Sequence, residues 1–478
     1  MSQKMLIGWS QKDITPLEPS LLAGQLYERI AEKVRDPITA TVLALESLDN
    51  NGIILEQTIM ISCDLLLVEK HLLEGLRKGL ESILPDFDSR KLFIFATHTH
   101  TGPFTSVDEL SKFGGSALEY PMEKEGFITP QEYSSFLIQC LCEAAIEAWS
   151  CRKPGGVSSE PGVAVVGYNR LAMYTDGSAR MYGHTDEMDF ESFAGVSDPG
   201  VEILYLWNDN KELTGLAINV ACPSQVVEQK NYISADFWGE VRKKLAKKYA
   251  QNIYVLAMTG AAGDQSPRDL IRSSTSMVQM RSEAGMELIA GRIIAAVDSG
   301  ITSARAGINN SPEFKHQVRS IDLPLRKVTR AEMLQARHDY DRIIKEKKLR
   351  SMKKKKLEIQ DVEDLFQLVI YDGIIQRYVR QQKNPFFEVE LHIVRIGDIA
   401  IATNPFELFL DYGLQIKARS KARQTFIIEL ACDCGLYLPT PRAVKGGGYS
   451  TQICNGFIGP EGGCILVDQT VKLINDMM

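Results

Sequence analysis

The chain has 478 residues, 44% of them hydrophobic and 24% charged, with a formal net charge of -7. That composition describes a globular protein able to bury a large core, and it excludes a main role in nucleic-acid binding, which needs a basic face. No stretch stays apolar for the ~20 residues that a membrane span requires. Residues 1–9 show no apolar export segment, and nine scattered cysteines do not read as a disulfide framework. The expected location is therefore cytoplasmic.

In chain order, hydrophobic periodicity predicts strands over 38–45 and 58–67, a helix over 66–84, a strand over 92–96 and a helix over 131–149. Strands follow over 163–166, 201–207 and 216–221, then a helix over 237–249, a strand over 253–258 and a helix over 277–297. Residues 329–383 are charged and helical in pattern and read as an inserted helical hairpin, whose lysine runs at 345–348 and 353–356 form a solvated face. Strands over 389–396 and 399–403, a helix over 406–422 and a strand over 426–430 complete the pattern. The expected fold is mixed α/β: one large catalytic domain over 1–478, its mixed β-sheets covered by helices. The long glycine-rich loops 102–126 and 445–463 are expected to cover a substrate.

The run His98-Thr99-His100 follows the apolar segment 92–96 directly. Alternate side chains of a strand share a face, so two imidazoles are expected to emerge together at its end. With only seven histidines in the chain, the pair is a site candidate. The His-x-His of a zinc amidohydrolase barrel is one alternative, but His71, His184, His316, His338 and His392 do not complete that pattern. A second candidate, Gly260 to Pro267, follows strand 253–258, and its glycines permit a tight turn. Asn404 and Glu407 have capping-box spacing, which alone gives Glu407 a structural reason to exist. Arg170 reads as a salt-bridge arginine, Tyr437 and Tyr449 as packing residues and Ser266 as a turn residue when each is taken singly. Cys432, Cys434, Cys454 and Cys464 fit no common zinc-knuckle spacing.

Several motifs occur in one order: His98-Thr99-His100-Thr101-Gly102-Pro103, Tyr168-Asn169-Arg170, Ser234-Ala235-Asp236, Gly263-Asp264-Gln265-Ser266-Pro267, Phe406-Glu407, and Tyr437-Leu438-Pro439-Thr440 before Tyr449. In this the chain resembles the neutral ceramidase family, zinc-dependent amidases that hydrolyse the N-acyl bond of ceramide. Secreted members of that family carry a signal peptide and a C-terminal immunoglobulin-like domain, and neither is expected here. The resemblance implies a Zn2+ ion on His98 and Glu407, with Tyr437 as a weaker oxygen ligand. Cys222 stands where the family has its remaining histidine ligand, and a thiolate binds zinc well. His100 is then the general base and acid, Arg170 and Tyr449 stabilise the oxyanion, and Ser266 contacts substrate, although the family has also assigned it the nucleophile's role. The implied activity is hydrolysis of an amide or related bond by metal-activated water, on a small-molecule substrate that need not be ceramide. The alternative is a non-catalytic or metal-free binding protein on a degenerate version of the same fold.

Overall fold

The computed structural model describes residues 4–25, 27–31, 33–106, 126–249, 252–272, 278–351 and 359–478. Most of loop 102–126 and lysines 353–356 lie outside the described residues. The centre of the fold is a mixed sheet of nine strands. From one edge, its main path runs Tyr254–Thr259, Leu213–Val220, Gly200–Asn208, Lys153–Ser159, Lys4–Asp13, Thr39–Leu48, Ile54–Cys63 and Leu92–Ala96, while Gly162–Val163 pairs to the side. Thr39–Leu48 is buried at nine successive positions, so its apolar run is nearly continuous, as expected for a strand covered on both faces.

Helix Pro130–Ser150 lies against Lys4–Asp13 and Thr39–Leu48. It starts with Pro130 and a reciprocal Thr129–Glu132 capping box. Gly8 permits the close approach: a Cβ there would stand 1.9 Å from the Ala148 carbonyl oxygen. A second sheet of four strands, Phe314–Pro324, Phe386–Ile396, Ile399–Thr403 and Gln424–Ile428, shares a core cluster with the large one through Phe314, Val394 and Phe426.

Within the two large sheets, three of the described strand pairs are parallel: Leu213–Val220 with Tyr254–Thr259, Ile54–Cys63 with Leu92–Ala96, and Ile399–Thr403 with Gln424–Ile428. Their carboxyl ends meet. Thr259 Oγ1 donates to the Ala96 carbonyl at 3.3 Å, Glu429 N to the Thr259 carbonyl at 3.1 Å, and Ala96 N to the Leu430 carbonyl at 3.3 Å. In open α/β sheets ligands bind outside the carboxyl ends of parallel strands, so this junction is where a site is to be sought.

The structure revises several sequence expectations. Strands Lys4–Asp13, Lys153–Ser159 and Phe314–Pro324 were not expected, because charged residues and glycines interrupt their apolar runs. The helix expected over 406–422 divides into a strand, Phe406–Leu408, and a shorter helix, Leu410–Arg419. Residues 330–351 and 359–383 form two helices that pack on each other.

Candidate functional site

The strand Leu92–Ala96 ends before the histidines, so alternation along a strand is not what brings them together. Thr97 N donates to the Cys63 carbonyl at 2.9 Å and Thr99 N to the Leu65 carbonyl at 3.0 Å. Between them His98 takes a left-handed backbone, with φ of 61°. Such strain in a non-glycine residue persists only where its surroundings enforce it. The hydroxyls of Thr99 and Thr101 both donate to the Ser234 carbonyl at 2.9 Å, which ties the turn to the Ser234-Ala235-Asp236 segment. The turn sets the two imidazoles edge to face, with centroids 4.9 Å apart.

One hydrogen bond defines the state of each ring. His98 Nδ1 lies 2.7 Å from the Leu66 carbonyl and His100 Nδ1 lies 2.9 Å from the Gly24 carbonyl. A carbonyl only accepts, so in each neutral ring Nδ1 carries the proton and Nε2 a lone pair. Burial lowers the pKa of His98, against the pull of Glu407 and the Leu66 carbonyl. Burial, then His98, Arg29 and Arg170, hold His100 well below its ordinary value. Among the described residues, His100 Nε2 is buried with no hydrogen-bond partner.

Glu407 arrives from the second sheet's side of the junction. Its segment Phe406–Leu408 pairs in parallel with Leu436–Leu438, and the register sets Glu407 beside Tyr437. Asn404 Oδ1 accepts from Phe406 N at 3.1 Å, and the helix begins only at Leu410, so the expected capping box does not form. The loop at Gly263 and Asp264 buttresses Glu407. Gly263 N donates to the Leu408 carbonyl at 2.9 Å, and a Cβ on Gly263 would lie 2.3 Å from the Glu407 carbonyl oxygen. Asp264 accepts from Leu410 N and from Asn169 Nδ2, at 2.9 and 2.7 Å. Arg170 donates to the Gly263 carbonyl at 3.0 Å and to the Tyr437 hydroxyl at 3.1 Å. Burial works against the Arg170 charge, and Tyr437, Tyr182 and Glu407 outweigh it and raise its pKa. Burial, with Glu407, pushes the Tyr437 hydroxyl upward, and burial does the same to Tyr449. The two tyrosine rings meet edge to face at 6.0 Å.

His98, His100, Arg170, Glu407, Tyr437 and Tyr449 thus line one cavity of about 410 Å³. Sequence reasoning missed Tyr182, Gln225, Glu228 and Arg281, which line it too. Gln225 and Glu228 follow the strand Leu213–Val220 as His98 follows its own strand, and that placement was the signal that could have found them. Two expected residues are absent from the lining. The Cys222 thiol donates to the Val166 carbonyl at 3.3 Å within an apolar cluster, and burial raises its pKa well above the ordinary range. Ser266 is fully buried, with Oγ accepting from Arg268 N at 3.3 Å. The loop that carries Ser266 supports Glu407 and Arg170 rather than offering a hydroxyl to the cavity.

Does a divalent cation fit this donor set? His98 Nε2 faces a Glu407 carboxylate oxygen at 3.6 Å, acceptor against acceptor, with both side chains buried. Two ligands ~2.1 Å from one tetrahedral ion stand about 3.4 Å apart, so the spacing suits an ion between them. The Nδ1–H bond to Leu66 is the kind of outer contact that orients a ligating imidazole. The spacing leaves a place for a divalent cation between His98 and Glu407, and Tyr437 stands in the same lining. A separate group, Glu390, His392 and Cys432, also has ligand atoms within 4.8 Å of one another. Its polar atoms already serve each other: Arg77 binds both Glu390 oxygens, at 3.1 and 2.7 Å, and His392 bridges Glu390 and His316 at 2.9 Å each.

No family model matches the chain, and no curated protein matches it. Solved structures do. The crystal structure of neutral ceramidase from Pseudomonas aeruginosa aligns with a TM-score of 0.69 at 15% identity, over 100% of this chain and 75% of that one. A ceramidase complexed with C2 aligns with a TM-score of 0.69 at 13% identity, over 99% and 75%. The chain has a neutral ceramidase fold.

Proposed function

We propose that the chain is a metal-assisted hydrolase that cleaves an amide or related N-acyl bond of a small polar molecule, with Zn2+ as its cation. The observation that carries this reading is the 3.6 Å approach of His98 Nε2 to the Glu407 carboxylate inside a buried cavity, beside the unpartnered Nε2 of His100. The neutral ceramidase fold supports it. His98, Glu407 and Tyr437 would hold the ion, which supplies Lewis acidity and lowers the pKa of water from 15.7 toward about 7. Cys222 is left out of the ligand set because its thiol faces the Val166 carbonyl.

The rest of the chemistry belongs to the chain itself. His100, neutral at physiological pH, has its lone pair free to take a proton from the attacking water and return it to the leaving nitrogen. Arg170, fixed by the Gly263 carbonyl and the Tyr437 hydroxyl, offers positive charge to the oxygen on which negative charge develops. Tyr449 adds a hydroxyl on the same side. Most of the exposed lining is apolar, and Gln25, Gln225, Glu228 and Arg281 set polar and charged groups around it that give a polar substrate its partners. The position of Cys222 favours a second reading, a metal-free binding protein on the same fold.

The test is hydrolysis of short N-acyl amino acids, N-acyl sphingosines and glycosides, with chelator and with added zinc. Expected is amide cleavage that chelator removes and zinc restores, and a fall in kcat of roughly 10²–10⁴-fold in His100→Ala. Cleavage indifferent to chelator contradicts the metal's part in the proposal, and no cleavage anywhere in the panel contradicts the proposal whole and leaves the binding protein.

A further inference from the structure

Next to the candidate site a second cavity, of about 590 Å³, opens against helix Glu283–Ala306. Arg268, Arg272, Arg281 and Arg292 line it. Compensation for these charges is partial. Asp269 pairs with Arg272 at 2.8 Å and also accepts from the backbone at Ile271, and Glu228 engages Arg281 from the first cavity. Arg292 is oriented by neutral groups, the Val165 carbonyl at 2.6 Å and the Tyr168 hydroxyl at 3.2 Å. Arg268 lies over the Tyr182 ring, 4.9 Å from its centroid. Among the described residues neither Arg268 nor Arg292 sits in an ion pair, and Arg281 Nε is buried without a partner. Burial and the nearby Arg281 charge lower the Arg268 pKa, and the pull of Tyr182 and Glu228 offsets them only in part.

Converging guanidinium groups repel one another unless a negative group sits among them. Their planar forked donors match the oxygens of a carboxylate or phosphate. The two cavities are joined through side chains. Arg281 lines both, and Tyr182, under Arg268, lines the candidate site and accepts from Arg170 and Gln225 at 3.3 and 3.0 Å.

We propose that the arginine-lined cavity is an oxyanion subsite, which receives a carboxylate or phosphate group of the same molecule whose scissile bond lies at His98 and His100. The substrates are then acidic N-acyl compounds. This rests on the hydrolase reading above and narrows it.

The test has two arms. In the first, inorganic phosphate is titrated calorimetrically into the full chain, into Arg268→Gln and Arg292→Gln singly and together, and into His100→Ala. One saturable site is expected in the wild type, weakened roughly ten-fold or more per arginine, the worth of a charge-assisted hydrogen bond. His100→Ala should bind phosphate as the wild type does, so this arm stands even if no substrate is cleaved. The second arm compares N-acyl amino acids with their uncharged C-terminal amides. The wild type should prefer the acid, phosphate should inhibit competitively, and the preference should collapse in the double variant while circular dichroism stays unchanged. No saturable phosphate binding, binding unaltered by both substitutions, or inhibition that is not competitive would overturn the proposal.

Discussion

At the scale of single residues, His100 depends on a glycine that no motif marked. Gly24 has φ of 95°, and a Cβ there would lie 2.6 Å from His100 Nδ1, so any side chain would displace the ring from the carbonyl that sets its tautomer. Asp236 gives a residue-scale prediction. It is fully buried, with φ of 53°, and accepts from Val227 N at 2.9 Å and Phe237 N at 2.7 Å. Burial nevertheless raises its carboxyl to about 7 from an ordinary 3.8. The folded state therefore holds this proton more tightly than the unfolded state. The stability it contributes is fully present below pH 3.8 and is lost as pH rises through about 7. Asp236→Asn cannot ionise, so the drop in Tm from pH 5 to pH 8 should be smaller than in the wild type, although Tm is lower throughout because the amide cannot accept both N–H groups. Parallel Tm curves for the two proteins would refute the assignment. Residue identity was legible in the sequence where motifs carried it, as at His98, Glu407 and Arg170. Side-chain direction was not: Cys222, proposed as a ligand because the resemblance puts it where the family has a histidine, turns its thiol toward Val166.

At the scale of elements, the sequence located Glu407 but assigned it to a helix. Asn404 and Glu407 do have capping-box spacing, yet pairing with Leu436–Leu438 competes for the same backbone and wins, since it buries Phe406 and Leu408 fully. No local pattern reports a partner strand some thirty residues away. The paired helices of 330–383 carry a second element-scale result. Arg377, on Ile359–Lys383, donates to the Phe457 carbonyl at 2.9 Å and the Gly456 carbonyl at 2.7 Å, on the segment that follows Tyr449. Gly373 on the same helix leaves no room for a Cβ, which would stand 2.3 Å from Cys454 Cβ. The charged insertion, read from sequence as a helical hairpin, thus grips a loop that lines the site. Arg377→Ala should cost about 2–3 kcal/mol from unsatisfied buried carbonyls and lower kcat while metal content stays intact. An unchanged kcat, or loss of metal, would place the helix's influence elsewhere.

At the scale of the whole molecule, the site exists because parallel strands from two sheets end at one junction. The apolar runs at 92–96, 216–221, 253–258, 399–403 and 426–430 were visible in the sequence, and four of them are strands near their expected limits. Their neighbours in space were not visible, because register and sheet order depend on contacts between distant segments. The ordered motifs nonetheless pointed to a neutral ceramidase fold, and superposition on solved ceramidases agrees. The proposed cation shared by His98 and Glu407 is measured by elemental analysis of protein purified without chelator, on the wild type, His98→Ala and Cys222→Ala. Near one equivalent of zinc in the wild type and in Cys222→Ala, with loss in His98→Ala, is the predicted result. Metal that survives in His98→Ala would assign it to the Glu390, His392 and Cys432 group instead, and that outcome, or a wild type without metal, would rule out an ion on His98 and Glu407.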